Sequence, residues 1–219
     1  MPRRHEFAQF IAIEGPLRVG KTSLADILAR RFGAERLRDV EDNPFLDRFY
    51  EGAPGAAFQA QFYFLWRRFK QWQGLDVGGP AGRPIVSDYL FAKDKIYAYL
   101  NLADEELALY EQYYEEFAEQ VPKPDLVIYL QSKPGTLKGR IARKNVPSEQ
   151  DISDEYLEEV TRAYDHFFIH YDEAPLLVVD TSRIDFIERE DDLAELMHRI
   201  SEPVKGTQYF LPLGSAPAD

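Results

Sequence analysis

Residues 15–22, Gly-Pro-Leu-Arg-Val-Gly-Lys-Thr, follow an apolar run at 10–15 without a break and lead directly into a stretch of helical periodicity. In that strand-to-helix setting the pattern G-x-x-x-x-G-K-[ST] constrains the chain more than any other feature, because it prescribes a backbone that wraps phosphate groups. Glycines let the loop N–H groups come close, and the positive end of the following helix adds to their field. The lysine reaches the β- and γ-phosphates and the hydroxyl ligates magnesium. Gly15, Arg18, Val19, Gly20, Lys21, Thr22 and Ser23 are therefore expected to hold ATP, with Lys21 supporting charge on the moving phosphoryl and Thr22 binding Mg²⁺. The plainer alternative is a strand-to-helix turn carrying a surface lysine. Arg18 either adds charge near the phosphates or points into solvent.

Four further apolar runs, 37–42, 84–88, 125–131 and 176–180, alternate with helical patterns over 21–32, 56–73, 103–121, 134–144 and 153–171. That alternation predicts an α/β fold, a parallel sheet flanked by helices. Ligands in such folds sit beyond the carboxyl ends of strands, where Glu14, Glu41, Asp88 and Asp180 fall. Residues 74–84 read as a Gly/Pro-rich loop and the tail from about 203 as loosely ordered, within one domain spanning 1–219. A net charge of −12 disfavours a nucleic-acid partner, since such affinity comes from cations that neutralise phosphates. The absence of cysteine excludes disulfides, thiol nucleophiles and Cys metal sites. No run reaches the roughly 20 apolar residues of a membrane helix, so a soluble, cytoplasmic protein without a membrane partner is expected.

The acceptor side is read from carboxylates and one aromatic helix. Glu41, in Val-Glu-Asp-Asn-Pro-Phe, either takes a proton from an acceptor hydroxyl or shares helix capping with Asp42 and Asn43. Asp88 either holds magnesium or caps the next helix. Gln61 and Arg68 stand two turns apart on one helical face, where they read a nucleobase edge or form a solvated surface. Arg140, Arg143 and Lys144 share a face of a later helix, either a lid over ATP, about 140–150, or another solvated surface.

Taken together, these segments resemble the deoxynucleoside kinase family, in particular its bacterial deoxyadenosine/deoxyguanosine kinase branch. The resemblance rests on E-D-N-P-F-L at 41–46, F-Q-A-Q-F-Y-F-L-W-R-R-F at 58–69, V-S-D-Y at 86–89, and R-I-x-R-K at 140–144 followed by E-Q-D-I-S-D-E-Y-L at 149–157. It implies a P-loop NTPase fold with a five-stranded parallel sheet and a short lid. It also implies Glu41 as general base, Tyr50 and Glu149 on the sugar 3′-hydroxyl, and Gln61, Arg68 and Asp94 on the base, favouring a purine. Arg140 and Lys144 fall at lid positions, and Thr22 with Asp88 at the magnesium. A homodimer joined through helices is implied, with Tyr97–Phe117 as a candidate surface. Three positions depart from the family pattern: Asp88-Tyr89-Leu90 lacks an expected arginine, for which Lys93 could substitute, the phosphate loop carries Arg18, and Val146 replaces a lid arginine. The expected activity is ATP- and Mg²⁺-dependent phosphorylation of a deoxynucleoside 5′-hydroxyl. The alternatives are a nucleoside monophosphate kinase of the thymidylate kinase type and a P-loop protein that binds nucleotide without transferring phosphate.

Overall fold

The structure, a computed structural model, describes residues 8–75, 83–145 and 152–214. Its strands are β1 (Phe10–Glu14), β2 (Glu35–Leu37), β3 (Ile85–Ser87), β4 (Leu126–Gln131), β5 (Leu176–Asp180) and β6 (Thr207–Phe210). The helices are α1 (Lys21–Phe32), α2 (Leu46–Tyr50), α3 (Ala56–Gln73), α4 (Asp94–Asn101), α5 (Asp104–Ala118), α6 (Pro134–Lys144), α7 (Asp154–Ile169) and α8 (Glu190–Ser201), with a 3-10 turn at Phe91–Lys93. All strand pairings are parallel, in the order β2-β3-β1-β4-β5-β6. β1 is central, and the chain builds outward from it first on one side and then on the other, which opens a crevice at the carboxyl ends of β1 and β3.

Alternation along the strands explains why helices cover both faces. Phe10, Ala12, Val127, Tyr129, Leu176 and Val178 join one buried cluster with side chains of α3, α4, α5 and α7. Ile11, Ile13, Ile128, Leu130, Leu177 and Val179 join the other with those of α1 and α8. Successive residues point to opposite faces, so a strand buried on both must be apolar throughout, as Phe10–Ile13 is.

Two expectations are corrected here. The sheet has six strands, not five: residues 207–210, in the tail expected to be loose, pair in parallel with β5. Gly206, at φ 60°, turns the chain into this register and its carbonyl accepts a hydrogen bond from Leu176 N at 2.9 Å. The second strand ends at Leu37 instead of running through 42, so Arg38 to Asn43 form a loop over the carboxyl edge of the sheet.

Candidate active site

The phosphate loop is fastened from beneath by Glu14. This carboxylate, buried at the end of β1, accepts hydrogen bonds from Gly15 N at 2.9 Å, Leu90 N at 3.0 Å and the Tyr164 hydroxyl at 3.2 Å. Its role is to hold backbone, and it ties the loop to the segment after β3. Gly15, at φ 149°, has no room for a side chain: a Cβ there would lie 2.3 Å from the Leu130 carbonyl oxygen. Lys21 opens α1 and donates from Nζ to the carbonyls of Gly15 at 2.6 Å and Pro16 at 3.1 Å. Burial lowers its pKa, against the pull of Glu14. Val19 is buried, Ser23 half-buried in the first turn of α1, and Arg18 half-buried in a left-handed conformation at φ 60°.

Thr22 Oγ1 donates to Asp88 Oδ2 at 3.0 Å, which brings the two expected magnesium ligands together. Arg36 of β2 reaches the same carboxylate oxygen at 2.6 Å, and Asp39 N donates to the other at 2.8 Å. Two hard oxygen donors beside the phosphate-loop lysine are the chemistry magnesium takes, so the residues present fit that ion.

Arg140 departs from the expected lid geometry. Its guanidinium donates to the carbonyls of Val19 at 3.1 Å, Thr181 at 2.8 Å and Ile184 at 3.3 Å, and to Thr181 Oγ1 at 3.1 Å. It clamps the phosphate loop to the segment after β5, and burial lowers its pKa. Arg143 and Lys144 are exposed, with Arg143 3.5 Å from Asp185. Glu149 and Val146 lie outside the described residues.

Beyond the carboxyl ends of β1 and β3 lies a cleft of about 240 Å³, lined among others by Asp39, Tyr50, Gln61, Arg68, Lys93, Tyr97 and Tyr156. Gln61 and Arg68 are buried, so the solvated-face alternative for them is overturned. Both meet Asp94, itself fully buried at the start of α4, which accepts hydrogen bonds from Gln61 Nε2, from an Arg68 terminal nitrogen and from the Tyr110 hydroxyl at 3.1 Å. Tyr50 stands at the mouth of the cleft with 76% of its surface exposed.

The carboxylate in this cleft is Asp39. Its two oxygens accept from Arg68 Nε at 2.8 Å, from the second Arg68 terminal nitrogen at 3.1 Å, from its neighbour Val40 N at 2.8 Å and from Lys93 Nζ. Burial alone would raise its pKa, but Arg68 and Lys93 outweigh that and hold it well below the usual carboxylate range. Asp94 goes the other way, because burial there outweighs Arg68. Glu41, expected to face the acceptor, is exposed and stands outside the cleft lining. The reason is the early end of β2. With the strand closing at Leu37, the second residue beyond it turns inward and the fourth lies out on the rim. Asn43 does not cap a helix, because α2 begins at Leu46 with Phe45 at its N-cap and no side-chain cap bond; instead it braces the loop, accepting from Phe45 N at 3.0 Å and donating to the Ala60 carbonyl at 2.8 Å.

Lys93, suggested by the sequence as a substitute for the arginine absent after Asp88, is buried in the 3-10 turn before α4. Its ammonium reaches Asp39 and lies 4.0 Å from Glu14, and these two carboxylates outweigh burial and raise its pKa, keeping it charged. Asp39 and Arg36 were both passed over in the sequence. The signal for Asp39 was an acidic residue two positions beyond the strand, obscured by reading that strand through 42.

Residues 11–205 match the deoxynucleoside kinase family. The chain belongs to that family. Deoxynucleoside kinases are phosphotransferases that act on a hydroxyl group, and the two-sided site described above, phosphate loop and acceptor cleft, is what such chemistry needs. The chain is 34% identical over 201 residues to the deoxyguanosine kinase of Bacillus subtilis, covering 89% of this chain and 97% of that one. It is 27% identical to the deoxyadenosine/deoxycytidine kinase of the same organism, over 90% and 94% of the two chains. In fold it is similar to the deoxyadenosine kinase of M. mycoides with bound dATP, with a TM-score of 0.71 and 24% identity over 88% of this chain and 99% of that one.

Proposed function

We propose that this deoxynucleoside kinase transfers the γ-phosphoryl of ATP, with Mg²⁺, to the 5′-hydroxyl of a purine deoxynucleoside. The observation that carries the reading is the cleft itself. Its one end holds a carboxylate, Asp39, beside the phosphate-loop machinery, and its other end is lined by the buried Gln61 and Arg68, with Asp94 bonded behind them, a set that offers both donors and acceptors to a base edge. Purine preference is supported by the deoxyguanosine kinases among the similar proteins.

On this reading Asp39, and not Glu41, accepts the 5′-hydroxyl proton as the bond from O5′ to the γ-phosphorus forms. The bond from that phosphorus to the β–γ bridging oxygen breaks in line, and ADP leaves. Lys21 and Lys93 hold negative charge on the transferring group, Thr22 and Asp88 would hold the metal, and Tyr50 and Glu149 are assigned to the sugar 3′-hydroxyl. Bound magnesium neutralises charge shared by the β- and γ-phosphates. Lys144 belongs to the lid side, whereas Arg140 serves the donor site through the backbone it grips.

The same proposal includes a homodimer in the cytoplasm. On α3, Phe58, Phe62 and Trp66 follow at intervals of four, and the ring of Phe62 meets that of Tyr113 of α5 at 5.2 Å. Trp66 and Tyr113 each keep 40% of their surface exposed and Leu109 44%, an apolar stripe suited to a second copy of itself. Tyr110 and Tyr114, from the segment expected to form this surface, are instead buried within the chain. Among the described residues no helix is long and apolar enough to cross a membrane.

A panel of the four deoxynucleosides with dAMP, dGMP and dTMP, incubated with γ-labelled ATP, tests the activity. Label on deoxyguanosine or deoxyadenosine at the highest rate is expected. Label transferred only to the monophosphates would reject the reading.

A further inference from the structure

Arg68 is shared between the two ends of the cleft. Its Nε and one terminal nitrogen hold Asp39, and its other terminal nitrogen holds Asp94. A guanidinium is a rigid planar fork, so it cannot turn at one end and stay in place at the other. It is also pinned by its surroundings: its side chain keeps only 6% exposure and lies over the Phe64 ring at 5.0 Å.

Resting on the kinase reading above, we propose that Arg68 is a positioning residue that makes the chemical step, and not only affinity, depend on the nucleobase, by linking Asp94 in the base-reading end to Asp39 at the sugar hydroxyl. As the site stands, both Asp39 oxygens are filled by Arg68, Lys93 and Val40 N, which leaves the carboxylate a poor proton acceptor. A base that bonds Gln61 and Asp94 replaces contacts Asp94 now makes, and the fork re-sorts its bonds as a unit. Its grip on Asp39 loosens, and one oxygen becomes available to the 5′-hydroxyl. The wrong base leaves the fork on Asp39 and the hydroxyl unactivated. Such a device also withholds the general base from water while the cleft has no acceptor. The charged and titratable groups that surround Asp39 include Arg68 of α3, Lys93 and Asp94 at the start of α4, Asp88 and Tyr89 after β3, Tyr164 of α7 and Lys21 of α1.

The test measures single-turnover phosphorylation rates at saturating ATP and nucleoside, with nucleoside affinity alongside, for the wild type, Arg68→Gln and Arg68→Lys. In the wild type the rate differs among the four deoxynucleosides. Arg68→Gln is expected to bring the saturated rates for different bases toward one value. Arg68→Lys keeps the charge, yet one ammonium cannot span both carboxylates, so the base dependence of the rate collapses there as well. It decides the matter should the glutamine variant fail to fold. Saturated rates that keep their base dependence in Arg68→Gln, with changes confined to KM, would overturn the proposal, because that is how a side chain that only reads the base behaves. So would a base-dependent rate retained in Arg68→Lys, or rates in the wild type that ignore the base. If the wild type phosphorylates no deoxynucleoside at all, the kinase reading itself fails and takes this inference with it.

Discussion

Replacing Asp39 with asparagine, beside Glu41 with glutamine, separates the two carboxylates that follow β2. Asp39 accepts hydrogen bonds from Arg68 and Lys93, whose side chains are 6% and 7% exposed, and is itself 21% exposed. The amide keeps the shape but loses the charge, so these bonds weaken. Hydrogen bonds to charged groups contribute about 1.5–3 kcal/mol, and a loss of that order stays inside the 5–15 kcal/mol stability typical of a domain. Asp39→Asn is thus expected to fold with a lowered melting temperature. Its turnover should fall by about 10²–10⁴, the usual share of a general base, which corresponds to roughly 3–5 kcal/mol of barrier. Glu41→Gln, on an exposed rim, should change stability by no more than about 0.5 kcal/mol and leave turnover near wild type. Single-turnover kinetics give the rates, calorimetry gives nucleoside and ATP affinity, and thermal melts follow the fold. A folded Asp39→Asn protein within a few-fold of wild-type turnover, or a Glu41→Gln protein that loses it, refutes the reasoning.

Gly20→Ala places a Cβ 2.6 Å from the Phe186 ring at a φ of 114°, conditions that cost about 1–3 kcal/mol of backbone strain. A melting temperature lower by roughly 2–12 °C and weaker ATP binding by calorimetry are expected, and unchanged values of both would disprove the account of that position. Trp66→Glu puts a charge into the apolar stripe on α3 and α5. Sedimentation at micromolar concentration should show a wild-type dimer and a folded variant monomer, whereas a variant that remains dimeric places the subunit contact elsewhere.

What could be read in the sequence follows the physics of each signal. The phosphate loop was legible because its chemistry demands particular residues at fixed spacing, and the structure sets Lys21, Thr22 and Asp88 together. Gln61, Arg68 and Asp94 converge as the resemblance implied, but spacing on α3 could not show that the face they share is buried, since that depends on α4 and α5 packing over it. The shift from Glu41 to Asp39 lay beyond sequence reasoning for a related cause. A short strand such as β2 takes its end from pairing with β3, a long-range contact, while Leu-Arg-Asp-Val-Glu-Asp holds no glycine or proline to mark the stop. β6 escaped notice for the same reason: Thr207–Phe210 is only four residues long in a segment with Pro203, Gly206 and Pro212, and its pairing with β5 is a long-range contact.

Arg36 gives the sheet margin a part in phosphate chemistry. It extends from a three-residue strand, bonds Asp26 at 2.8 Å, and steadies the carboxylate of Asp88. A slip of that strand by a single residue would swing every side chain to the opposite face and carry this guanidinium away from Asp88. On the proposed reading, pairing of β2 with β3 and readiness to bind a metal-bound donor are therefore one variable, and a lesion that frays this margin would register first as a demand for more magnesium.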